Sequence, residues 1–209
     1  MEIDQNLVEL LHRAAGSGEV VTEEPMSRHT TFRIGGPADY FVTPHTKEEI
    51  RQVIQLCKAE SLPFAVLGNG SNLLVGDKGF RGVVIQLFKN FSDITIEEED
   101  IYAQSGALLV RLANQAAKQG LTGLEFASGI PGTLGGAVVM NAGAYGGEMK
   151  DVIRYSDVVT EEGEFLRLSR EELELGYRTS VIQKKNYFVL GAALELKKGD
   201  PAAIRSVME

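Results

Sequence analysis

The stretch Leu67-Gly68-Asn69-Gly70-Ser71-Asn72-Leu73-Leu74 leaves a short apolar run, 63–67, and enters a loop without lysine or arginine. An anion held there must rely on backbone N–H groups and on short hydroxyl and amide side chains, as in a backbone nest around phosphate. No Gly-Lys-Ser/Thr follows, so this is not the lysine-bearing loop of nucleoside triphosphatases. With a second apolar run at 83–87, the segment reads as a β-loop-β element, and a plain Gly-Asn-Gly turn between strands is the competing reading.

The second glycine-rich stretch is Gly129-Ile130-Pro131-Gly132-Thr133-Leu134-Gly135-Gly136-Ala137-Val138-Val139-Met140-Asn141-Ala142-Gly143-Ala144-Tyr145-Gly146. Of the 23 glycines, five fall in residues 68–82 and nine in residues 120–147, so two backbone-dominated regions are expected. Side-chain-poor chain lets something flat or extended lie against it. Pro131 is placed to open a short helix whose first N–H groups face a ligand, and Asn141 offers an amide to ring or ribose edges. A tight helix–strand crossing that merely excludes side chains explains the same composition.

Around these regions the pattern is α+β. Asp4 caps a helix with Leu7, Leu10, Leu11 and Ala14 on one face and Gly16 as its stop. Residues 29–42 read as a hairpin about Gly35-Gly36-Pro37. Thr46 and Glu49 form a capping box before Ile50, Val53, Ile54 and Cys57, an inward face. Residues 94–96 and 101–103 make a hairpin, 107–119 a helix ended by Gly120, and 152–160, 164–168 and 187–196 further strands. Residues 200–209 open another helix with a proline at its first position.

The chain has 209 residues, 44% of them apolar, and this excludes general disorder. Its formal charge of −8 argues against nucleic acid and anionic membranes as partners. The N-terminal residues lack a signal-peptide pattern and no apolar run spans a bilayer, so a cytoplasmic location is expected. One cysteine and the scattered His12, His29 and His45 give neither a disulfide framework nor a metal-ligand spacing. Glu125, the only charge between Gly120 and Gly147, reads as a loop carboxylate satisfied by backbone donors. Arg178, after a short acidic helix, is a surface arginine unless it faces the glycine loops; there its guanidinium can grip a carboxylate and stabilise an enolate. Tyr177 beside it reads as a packing residue.

Together, His29-Thr30-Thr31-Phe32-Arg33-Ile34-Gly35-Gly36-Pro37-Ala38, the 67–74 and 129–146 stretches and Gly176-Tyr177-Arg178-Thr179-Ser180 resemble the UDP-N-acetylenolpyruvoylglucosamine reductases, the shorter class in particular. Each motif alone is common, whereas the four in this order are specific, and the likeness spans about residues 20–197. It implies the FAD-binding type-2 fold (vanillyl-alcohol-oxidase/PCMH-like) of two α+β lobes. These are 26–88, after an N-terminal helix and lead-in at 1–25, and 89–197. Residues 198–209 would begin a substrate lobe that the sequence does not go on to contain.

The resemblance also implies noncovalent FAD, NADPH as co-substrate, and hydride delivery to the enolpyruvyl double bond of UDP-N-acetylglucosamine enolpyruvate. Leu67, Gly68, Asn69, Gly70, Ser71, Asn72 and Leu73 would hold the pyrophosphate. Gly129, Ile130, Pro131, Gly132, Thr133, Gly135, Gly136, Asn141, Ala142, Gly143, Ala144, Tyr145 and Gly146 would line the flavin. Arg178 matches the family's catalytic arginine, and Tyr177 with Arg178 would contact substrate. The family's serine proton donor, in a Gly-Ser-Phe-Phe-Lys-Asn-Pro-like stretch, and its late glutamate do not occur here. A noncatalytic flavin-binding module and an FAD oxidase of the same superfamily are the alternatives. No histidine or cysteine beside the glycine loops offers a covalent flavin attachment, which disfavours the oxidase.

Overall fold

Helix α1 spans Gln5–Ala15 in the computed structural model, which describes residues 3–208. Asp4 caps it by accepting from the N–H groups of Asn6 and Leu7, and Gly16 ends it at φ 57°. Two compact units follow from the chain's contacts. One runs to Phe91 and includes Glu161–Glu164; the other comprises Ser92–Thr160 and the chain from Phe165.

In the first unit β1 (Glu19–Pro25), β2 (Pro37–Thr43), β3 (Phe64–Leu67) and β4 (Phe80–Gln86) form a sheet of order β1-β2-β4-β3. The first pair is antiparallel, whereas β4 runs parallel to both β2 and β3. Helix α2 (Lys47–Ala59) has the expected capping box at Thr46 and Glu49 and buries Ile50, Val53, Ile54 and Cys57. Against it packs α1, with Leu7, Leu11 and Ala15 buried. Burial raises the Cys57 thiol to about 12, so it is inert core.

The expected 29–42 hairpin is corrected. The partner of β2 is β1, paired from Glu19↔Thr43 to Pro25↔Pro37, while residues 26–36 form a strap. Some of the strap's backbone bonds close it on itself, such as Met26 N–H to Gly36 O at 3.1 Å, and two reach the neighbouring loop, Thr31 N–H to Gly70 O at 3.3 Å and Gly36 N–H to Gly76 O at 3.0 Å. Within the strap Phe32 and Ile34 are 61% and 50% exposed.

The second unit is built on an antiparallel sheet of order β11-β10-β12-β6-β5. Its strands are β5 (Ile94–Glu97), β6 (Asp100–Gln104), β10 (Ile153–Val159), β11 (Phe165–Ser169) and β12 (Phe188–Glu195). Helix α3 (Leu109–Lys118) buries Leu109, Leu112, Ala113 and Ala116 as its period predicts. Around them lie β7 (Leu121–Thr122), α4 (Leu134–Val139), β8 (Gly143–Ala144), β9 (Gly147–Glu148) and α5 (Met149–Val152). Then come α6 (Val181–Lys185), β13 (Lys197–Lys198) and α7 (Pro201–Met208). Helix α7 buries Ile204 and contacts α3 and β7. The acidic segment before Gly176 is a turn rather than a helix: Ser169 and Glu172 exchange side-chain-to-backbone bonds across it. No helix among the described residues is long and apolar enough to cross a membrane.

Candidate functional site

The first glycine region begins where β3 ends. Parallel neighbours need a crossover of roughly a dozen residues, and 68–79, between Leu67 and Phe80, is that crossover. Gly70 sits at φ +67°, and a Cβ there would stand 2.0 Å from the His29 carbonyl oxygen. Only glycine fits without moving the strap. The Gln86 amide donates to Gly68 O at 3.0 Å, pinning the start of the loop to β4. Leu67 and Leu73 pack on the core formed by Met26, Ala38, Phe41 and Val84, so they anchor the loop through their side chains. Between them Ser71 is half-buried and Asn72 exposed.

Asn69 lines a cavity of about 600 Å³ with Thr30, Thr31, Arg28 and Gln86, all in the first unit. His29 on its wall takes Glu24 Oε1 at 2.9 Å through Nε2 and lies 4.0 Å from the Phe41 ring, a part-buried turn histidine.

The second glycine region is sorted by its neighbours. At Gly135 a Cβ would meet the Ser105 Cβ at 2.8 Å, and at Gly143 the Glu148 Cβ at 2.7 Å; these two glycines serve close packing. At Gly129, Gly136 and Gly146 a Cβ would meet nothing within 4 Å. All three are exposed, as are Pro131 and Tyr145, whereas Thr133 and Ala142 are buried and Ile130, Gly132 and Ala144 are half-buried. Close packing therefore accounts for the small residues at Gly135 and Gly143 but not at the other three. Where the backbone is bare it faces open space.

The short helix opens at Leu134, not at Pro131, and its first amides are spent internally: Leu134 N–H on Ala107 O and Gly135 N–H on Ser105 O, each at 2.8 Å. The buried Ser105 hydroxyl beside them has no partner.

After α4 the chain adopts φ +42° at Asn141 and forms a β8–β9 hairpin, with φ +52° at Tyr145 and +85° at Gly146. A tyrosine at positive φ is uncommon, and such strained residues cluster at functional sites. Its side chain is 94% exposed. The Asn141 amide does not reach outward as expected. Both N–H groups are committed, to Glu148 Oε2 at 2.6 Å and Gly176 O at 3.1 Å, and its oxygen accepts from Lys150 N–H at 2.9 Å. Glu148 is held below the ordinary carboxylate range, first by Lys150 and then by Asn141.

Gly176 and Thr179 exchange backbone hydrogen bonds and close a turn with Tyr177 and Arg178 at its apex. Arg178 has φ +55°. Tyr177 is 91% exposed, so the expected packing role is corrected: a two-residue apex leaves its ring no wall to lie against. Ser180 Oγ and the Gln183 amide both donate to Val139 O, at 2.7 and 2.8 Å. The structure thus joins the Arg178 turn to the second glycine region. Glu125 is the satisfied loop carboxylate foreseen, accepting from Gly123 N–H at 2.7 Å and Thr122 Oγ1 at 2.6 Å. Helix α6 and the orphaned Ser105 hydroxyl went unseen in sequence. For α6 the available signal was the buried pair Val181 and Ile182 ahead of a basic last turn.

Residues 38–169 match the family model described as an FAD binding domain. The chain is 52% identical over 205 residues to the UDP-N-acetylenolpyruvoylglucosamine reductase of Alkaliphilus metalliredigens (strain QYMF), a match covering 98% of this chain and 67% of that protein. The crystal structure of UDP-N-acetylenolpyruvylglucosamine reductase (MurB) from Thermus caldophilus matches with a TM-score of 0.76 at 38% identity, covering 91% of this chain and 66% of that one. Likeness to 4-ethylphenol oxidase from Gulosibacter chungangensis is one of fold alone, with a TM-score of 0.68 at 16% identity over 92% of this chain and 42% of the oxidase. The fold is the FAD-binding type-2 one, of the vanillyl-alcohol-oxidase/PCMH kind. The chain spans about two thirds of the reductases' length.

Proposed function

We propose, from the premise that this chain belongs to the UDP-N-acetylenolpyruvoylglucosamine reductase (MurB) family, that it is the FAD-holding part of an NADPH-using reductase. Its substrate is UDP-N-acetylglucosamine enolpyruvate, its product UDP-N-acetylmuramate for peptidoglycan, and its location the cytoplasm. Bound noncovalently, FAD supplies hydride transfer from NADPH to the enolpyruvyl double bond. Three bare glycines, Gly129, Gly136 and Gly146, facing open space in the region that anchors Arg178 carry this reading.

Each residue group has one task. The main chain of 67–73 with the short side chains of Asn69, Ser71 and Asn72 receives the pyrophosphate; no basic side chain is needed where N–H groups converge. The exposed backbone at Gly129, Pro131, Gly136, Tyr145 and Gly146 lies against the ring system. Arg178 grips the substrate carboxylate with its planar guanidinium and offsets negative charge at the adjacent carbon as hydride arrives. Tyr177, on the same apex, contacts the substrate.

A positioned proton donor contributes about 10²- to 10⁴-fold, and the family's serine-bearing stretch is not among these 209 residues. Titrating the 209-residue chain with FAD, followed by flavin fluorescence, is expected to give saturable stoichiometric binding. NADPH oxidation dependent on the UDP-enolpyruvyl sugar is expected to be at least about 100-fold below that of a full-length relative. Failure to take up FAD would sink the proposal.

A further inference from the structure

The geometry points to Asn141 as the positioning residue of Arg178, a role that rests on the reading above for what Arg178 grips but not for its geometry. Asn141 is 3% exposed and lies at positive φ, which lets its amide turn back into the unit. One N–H goes to the Glu148 carboxylate at 2.6 Å, on the strand that closes the Tyr145–Gly146 hairpin. The other goes to the carbonyl of Gly176, the residue that opens the Tyr177–Arg178 turn. Its oxygen takes the Lys150 N–H, so the side chain cannot flip without placing its oxygen against both a carboxylate and a carbonyl. One amide thus ties the bare-backbone hairpin to the arginine's turn. Ser180 and Gln183 fasten the far side of that turn to Val139. The Arg178 guanidinium itself needs no rigid partner, because its foundation is fixed from both sides.

Asn141 touches no reacting atom in this scheme. It sets where Arg178 starts from, in register with backbone proposed to face the ring. Three variants test this in the 209-residue chain. Asn141→Asp keeps the shape and the acceptor for Lys150 N–H but sets a carboxylate against Glu148 and the Gly176 carbonyl. Adding Glu148→Gln gives the introduced carboxylate a donor and so restores the hairpin link, yet leaves Gly176 O facing an anion. Asn141→Ala removes all three bonds. The readouts are amide hydrogen exchange at Gly176 and Thr179, with β12 as internal control, thermal midpoint, and FAD affinity.

The expected result is at least about tenfold faster exchange at Gly176 and Thr179 in the single Asn141→Asp variant and in the double variant. In the double variant the β12 amides return to wild-type values, the thermal midpoint recovers part of the loss, and FAD affinity stays within about threefold. The rescue separates the roles, since a merely structural residue would recover stability and turn together. Exchange at Gly176 and Thr179 unchanged in all three variants overturns the inference. So does an FAD affinity that collapses in the double variant while the turn stays protected, which would make Asn141 a cofactor contact. Should the unaltered chain take up no FAD, the flavin reading fails while the exchange comparison still decides the role of Asn141.

Discussion

Two glycines of opposite surroundings make the flavin reading testable. Gly70 is squeezed by the His29 carbonyl at positive φ, whereas Gly136 looks into space from within a helix. Gly70→Ala is expected to cost about 1–3 kcal/mol in stability through strain and displacement of the strap. Gly136→Ala is expected to leave stability unchanged or raise it by up to about 1 kcal/mol, as alanine does within helices, while weakening FAD binding about tenfold or more. Chemical denaturation with parallel flavin titration separates the two; a Gly136→Ala chain that binds FAD like wild type would place the ring elsewhere. Glu125 was legible because its partners lie two and three residues away in sequence. Asn141 stands out in the sequence as an amide, but its partners do not, because the Gly176 carbonyl that takes one of its N–H groups lies 35 residues on, and no local pattern reports such a bond.

At the level of elements, helices α1 and α2 are readable from caps and period, and α3, which has no capping side chain, from its period and the glycine after it. Strand β1 is not. It is an edge strand with glutamates at 19, 23 and 24 and no fully buried residue, the charged composition that edges use against stray pairing. Its absence left β2 without a partner and made the strap look like one. The α2 capping box carries a pH prediction. Burial pushes Glu49 upward, but hydrogen bonds from Ser17, His45 and Thr46 prevail and hold it at about 2 against 4.5 when unfolded. A carboxylate lowered on folding stabilises above its unfolded value, so this contribution is full above about pH 4.5 and is lost as pH falls toward 2. Glu49→Gln is expected to flatten the thermal midpoint across that window. Thr46→Ala is expected to cost about 1 kcal/mol at neutral pH.

On the scale of the whole molecule, the sole cysteine and five of the six tyrosines report on different units. Cys57 is fully buried in the first, whereas Tyr102, Tyr145, Tyr155, Tyr177 and Tyr187 lie in the second. A thiol raised to about 12 by burial reacts only when its surroundings open. Labelling of Cys57 is expected to be slow in native buffer, to accelerate with unfolding of the first unit, and to slow on adding FAD by a factor of one plus the ratio of free FAD to its Kd. Labelling unaffected by saturating FAD would mean that the cofactor does not stabilise the unit bearing the 68–79 loop. The α+β class and the motif-bearing loops were readable in the chain's order of elements. The mixed parallel and antiparallel pairing of the first sheet was not, since strand direction across long connections leaves no trace in hydropathy.

The parallel pairing of β3 with β4 binds two demands into one piece of chain. The Gly-Asn-Gly-Ser-Asn segment must carry the polypeptide back along the length of a strand and, in the function proposed above, would also present its amides to a pyrophosphate. Shortening it would unzip the sheet, whereas exposed residues such as Lys78 leave room for additions at the far bend. Lineages descended from this arrangement are therefore free to elaborate the tip of the bend but not to trim its base.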